Sequence, residues 1–144
     1  MNPVLTLFSG LFKATILVVL FFSCSQGKIA QCQKIISTTK KVEAISQENR
    51  QTQDLDDILA VADSFADSAT SLEKMKLSDQ RLSRFQLQLA QIYSGNAKST
   101  RNFISAFEAR DIPGVRLAKQ EVQLLGKQEQ QVVAEINQYC QLAQ

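Results

Sequence analysis

Beyond Gly27 the chain carries four successive stretches whose apolar residues recur at alternating spacings of three and four, and nothing alternates with period two for long. That spacing gives helices with one buried face. Only 5 Gly and 2 Pro occur in 144 residues, 44% of which are hydrophobic, so there is apolar material for a core and too few turn-formers for many strands. The length allows one domain of ordinary size. The pattern predicts an all-α fold, an antiparallel up-down four-helix bundle with coiled-coil-like seams over residues 29–144.

The first stretch, about 29–47, places Cys32, Ile35, Thr39 and Val42 on one seam with Ile36 and Ile45 beside it, and ends in the polar run 46–53. In the second, about 54–75, Leu55, Ile58, Ala62, Phe65, Ala69 and Leu72 fall on heptad positions. Asp54, Asp56 and Asp57 crowd its first turn and Lys74 and Lys76 close it, as the helix dipole favours. Ser78 is the expected N-cap of the third stretch, which runs through Leu82, Phe85, Leu89, Ile92 or Tyr93, Phe103, Ile104 and Phe107 to about 110. Gly95 interrupts it, but the apolar phase resumes correctly beyond, so one long helix with a local kink is expected. Asp111 caps the fourth stretch, with Pro113 in its first turn. Val115, Ala118, Val122, Leu125, Val132, Ile136 and Tyr139 hold its seam, which Glu129 interrupts. Eight glutamines (Gln120, Gln123, Gln128, Gln130, Gln131, Gln138, Gln141 and Gln144) give that helix a neutral outer face suited to docking or to solubility. The longer third and fourth helices are expected to project past the first two.

The segment before the bundle has a different character. Lys13 is followed by Ala14-Thr15-Ile16-Leu17-Val18-Val19-Leu20-Phe21-Phe22 and the small-residue exit Ser23-Cys24, which reads as a signal peptide over residues 1–23. The alternative is a retained membrane anchor of about 19 residues with Lys13 snorkelling. Leu20-Phe21-Phe22-Ser23-Cys24 resembles the lipobox of bacterial lipoproteins, with Phe21 where that family usually carries Leu or another aliphatic. The resemblance implies a mature chain that begins at an acylated Cys24, has a tether over 24–28, and is held by lipid on the periplasmic, lumenal or extracellular side of a membrane.

Export bears on the other two cysteines. Cys32 and Cys140 lie near opposite ends of the mature chain, and an up-down bundle brings those ends together, so a disulfide is expected. The alternative is two reduced core residues.

The sequence narrows the chemistry by absence. With 0 His, the Ser-His, Cys-His, His-ligated zinc and Glu-x-x-His di-iron arrangements are excluded. No phosphate loop or dinucleotide motif appears. Asp54, Asp56, Asp57, Asp63 and Asp67 continue along a helix without the glycine bend of a cation loop. No catalytic residue, metal or cofactor is therefore assigned. Net charge of +2 and the absence of Trp argue against nucleic acid.

Two surfaces remain as candidates. Lys28, Lys34, Lys74, Lys76, Arg81 and Arg84, against Glu73, Asp79 and Glu135, fall at the end nearest Cys24 and suit anionic headgroups. The polar seam residues Asn96, Ser99 and Glu129, with Phe103, Phe107 and Val115 toward the far tip, suit a partner groove or a small-molecule cavity. Helix register and core packing are the plainer uses of the same residues. The sequence thus points to a non-enzymatic binding or accessory subunit at a membrane surface, whose partners are lipid through Cys24 and a membrane-associated protein. A bundle that binds or senses a small molecule is the alternative. In plan, such a chain is similar to lipid-anchored helical bundles such as the extrinsic Q-type subunit of cyanobacterial photosystem II, an analogy of architecture that carries over no residue.

Overall fold

A computed structural model describes the backbone of residues 8–49 and 51–141 and the side chains of 27–49 and 51–141. It contains four helices: α1 (Phe8–Glu48), α2 (Leu55–Lys74), α3 (Gln80–Glu108) and α4 (Ile112–Gln141). Short connections make successive helices antiparallel neighbours. α3 packs along both α2 and α4, and α1 closes the bundle against α2 and α4. The expected four-helix bundle is the fold.

Helix boundaries follow the local chemistry. Asp54 caps α2 by accepting the Asp56 amide at 2.8 Å, with Asp56 and Asp57 in the first turn and Lys74 in the last. α3 ends in paired bonds, Asp111 N to Ala106 O at 2.8 Å and Arg110 N to Phe107 O at 3.1 Å, around Arg110 at φ 56°. This is the Schellman arrangement, with arginine where glycine is usual. Asp111 then opens α4, its carboxylate accepting the Gly114 amide at 3.2 Å.

Two expectations need amendment. Helix α1 does not begin near residue 29 but is continuous from Phe8, because Gly27 alone costs too little to break it. The N-cap of α3 is Asp79, not Ser78: its Oδ1 accepts the amides of Arg81 and Leu82, both at 2.9 Å. Ser78 is engaged elsewhere, since Gln31 of α1 accepts the Ser78 amide at 2.7 Å and donates to its hydroxyl at 3.0 Å. α3 is unbroken through Gly95, whose missing Cβ would lie 3.1 Å from Leu125 Cδ1. The glycine thus lets α3 and α4 approach closely.

Ile35, Val42, Leu72, Leu82, Leu89, Tyr93 and Ile136 are the largest fully buried side chains, drawn from all four helices. Gln86 is buried among them because its amide donates to the carbonyls of Leu72 and Met75 (2.8 Å to the latter), satisfying the C-terminal end of α2. Ser46, near the end of α1, lines the same cleft as Gly126, so roughly the first four turns of α4 extend past α1.

Candidate functional site

At one end, the first and last helices are joined covalently. Cys32 and Cys140 form the expected disulfide, with Cα atoms 5.9 Å apart across 108 residues of sequence. Next to it, Tyr139 receives two cations on its ring: Lys28 Nζ lies 3.7 Å and Arg81 Cζ 4.7 Å from its centroid. Its hydroxyl donates to Asp79 Oδ2 at 2.9 Å. Burial works against the Asp79 charge, but the Leu82 and Arg81 amides, the Tyr139 hydroxyl and Lys28 outweigh it and hold the carboxyl below its ordinary range. Of the six basic residues singled out by the sequence, Lys28 and Arg81 are thus built into this cluster. Lys34, Lys74, Lys76 and Arg84 stand exposed around it. The sequence signals Tyr139 only as a seam residue.

Toward the middle of the bundle the structure divides the polar seam residues. Asn96, 2% exposed, and Glu129 line one cleft of about 320 Å³ together with Ser46, Ile58, Phe65 and Gly126. A second lobe of about 310 Å³ between α1 and α4 shares Ser46, Gly126 and Glu129 with it and adds Glu43. Ser99 is elsewhere: it donates to Glu121 Oε2 at 2.9 Å in the α3–α4 interface. Tyr93 is 0% exposed, and its hydroxyl is turned to Glu129 without a hydrogen-bond partner of good geometry. Its ring meets Phe65 edge to face at 5.5 Å. Burial, the charges of Glu129 and Glu43 and the facing carboxyl push the phenol far above its usual range. Burial likewise lifts Glu129 above the usual carboxyl range; the Tyr93 hydroxyl opposes this and Glu43 reinforces it. The sequence puts Phe65 on the seam of α2 and either Ile92 or Tyr93 on that of α3, and connects none of these, nor Gly126, with Glu129.

At the opposite end from the disulfide, Phe103 is half-buried and stacks on Phe107 with centroids 6.2 Å apart, while Phe107 is 56% exposed. Val115 is half-buried. Ile112, Leu117 and Leu124 of α4 and Leu87 of α3 are also exposed. Leu117 and Leu124 lie two turns apart on one side of α4. They continue the line of a shallow groove of about 320 Å³ between α3 and α4, lined by Gln88, Gln91, Gln128 and Gln131. The glutamine face expected of α4 therefore borders a groove with apolar residues along it.

Among the described residues no three Cys, Asp or Glu side chains are grouped so as to hold a metal ion. Among residues 27–49 and 51–141, whose side chains are described, no helix is long and apolar enough to cross a membrane. The apolar run 14–22 and the side chain of Cys24 lie outside the described side chains. No protein-family model, curated protein or solved structure matches this chain.

Proposed function

We propose that the protein acts without chemistry, as a binding or accessory subunit exported and held at a membrane surface by lipid on Cys24. The observation that carries the reading is the one-sided distribution of exposed apolar side chains. Of the six large hydrophobic residues left exposed among the described side chains, Leu87, Phe107, Ile112, Leu117 and Leu124 belong to α3 and α4, and Leu59 belongs to α2. Apolar groups beside a neutral, hydrogen-bonding groove suit docking to another protein. Cys24 lies in α1 about two turns before Cys32, so a lipid there would tether the stapled end. The Phe107–Ile112 tip and the α3–α4 face would remain available to a partner. The exposed Lys34, Lys74, Lys76 and Arg84 at the tethered end support the same orientation, each contributing about 1 kcal/mol near anionic headgroups.

The test is crosslinking and co-purification of the C-terminally tagged protein from its native membranes, beside a Cys24→Ala variant. The expected result is a stoichiometric membrane protein recovered with the unaltered chain and lost with the variant. Recovery of the chain alone in both cases contradicts the proposal.

A further inference from the structure

Glycine inside a helix is less favourable than alanine, so each one asks for a reason. At Gly95 the reason is close packing on Leu125. At Gly126 nothing lies within 4 Å of where a Cβ would stand, so packing does not require it. What its bare backbone does is keep open the place where the two lobes around Glu129 meet.

The polar lining of those lobes is unbalanced in sign. Glu129 borders both and Glu43 one, and no Lys or Arg among the described residues lines either. Behind Glu129, Tyr93 is 0% exposed and turns its hydroxyl to that carboxyl without a hydrogen bond of good geometry. Asn96, 2% exposed, adds an amide. The other wall is apolar, formed by Ile58, Val61, Phe65 and Val122.

We propose that this cleft binds a small organic cation, a protonated amine whose ammonium sits at Glu129 and whose apolar body lies on Ile58, Val61 and Phe65. An ammonium brings donors and no acceptor, and so matches the carboxylate of Glu129 and the amide oxygen of Asn96. An anion would meet two carboxylates. A bare divalent ion would need more converging oxygens than the described residues supply. Each lobe, at about 310–320 Å³, is at the small end of ligand sites. The raised carboxyl of Glu129 agrees with a site that lacks its counter-charge. The inference is independent of the anchoring proposal, since every group it uses belongs to the bundle.

Isothermal titration of the full-length protein in detergent tests it, with phenethylammonium chloride as the probe and 2-phenylethanol and 3-phenylpropionate as the neutral and anionic matches. Saturable binding of the ammonium is expected, about tenfold or more tighter than the alcohol, with none of the carboxylate. Glu129→Gln is expected to weaken the ammonium about tenfold or more. Gly126→Leu is expected to abolish binding while leaving the thermal midpoint equal or higher, because a strong helix former then fills open space. No saturable binding of the ammonium, equal binding of the three probes, or unchanged binding in a folded Gly126→Leu protein overturns the proposal.

Discussion

Replacing Cys32 and Cys140 together by alanine removes the bond that joins α1 to α4, and the loop it closes sets the size of the effect. The cysteines are separated by 108 positions. On the chain-entropy relation, closing a loop of that length destabilises the unfolded chain by about 4.8 kcal/mol. Native disulfides in small secreted domains are typically worth about 2–5 kcal/mol, a large part of the 5–15 kcal/mol that holds an ordinary domain together. The sulfurs are also packed, Cys32 at 4% and Cys140 at 7% exposure, which adds a smaller packing loss. A total of about 3–5 kcal/mol is therefore expected. Urea unfolding followed by far-ultraviolet circular dichroism measures it. The midpoint should fall sharply, and the slope with urea should rise, because the uncrosslinked unfolded chain exposes more surface. Unaltered protein with reductant should follow the double variant. A loss below about 1 kcal/mol, or an unchanged slope, would refute the reasoning that the bond acts by restricting the unfolded chain.

Three further outcomes follow from the same geometry. Gly126→Ala should stabilise by about 0.5–1 kcal/mol in urea unfolding, and by more than Gly95→Ala, whose Cβ must displace the tips of Leu125. Asp79→Ala should cost about 1–2 kcal/mol, since it removes an N-cap that accepts two amides and the Tyr139 hydroxyl. In wild type, the stability due to Asp79 should be present above the ordinary aspartate pKa and lost as pH falls through its lowered value. Glu129 has the opposite sign: its folded carboxyl holds the proton more tightly than the unfolded one, so its contribution is full below the ordinary glutamate pKa and lost as pH rises through the raised value. Comparing Glu129→Gln with wild type across pH 4–8 by thermal unfolding should show this decline in wild type alone; parallel curves would refute it.

The sequence conveyed the architecture well because the relevant signals are local and repeated. The heptads of α2, bounded by Asp54 and Lys74, specify its limits to within a residue. The phase that resumes after Gly95 was enough to predict a continuous α3. Pairing Cys32 with Cys140 followed from topology. The N-cap of α3 is one residue beyond the Ser78 that the sequence suggests, since Ser and Asp both favour that position. The contact that decides it, Gln31 on Ser78, comes from another helix. Periodicity brought out Asn96 and Glu129 as anomalies but grouped Ser99 with them, because a seam position does not say which neighbour a side chain meets. Tyr93 looks like any core aromatic until its hydroxyl is seen to face Glu129. The role of Gly126 is visible only from the empty space beside it.

The claim that α3 and α4 present the docking face is tested most directly by placing a photocrosslinking residue at Leu117 or Leu124, and for comparison at the exposed Asp67 or Thr70 of α2, in the protein in its native membranes. The account predicts a specific adduct with one membrane-associated protein from the α4 positions and none from α2. Adducts of equal yield from both faces, or none from either, would contradict it.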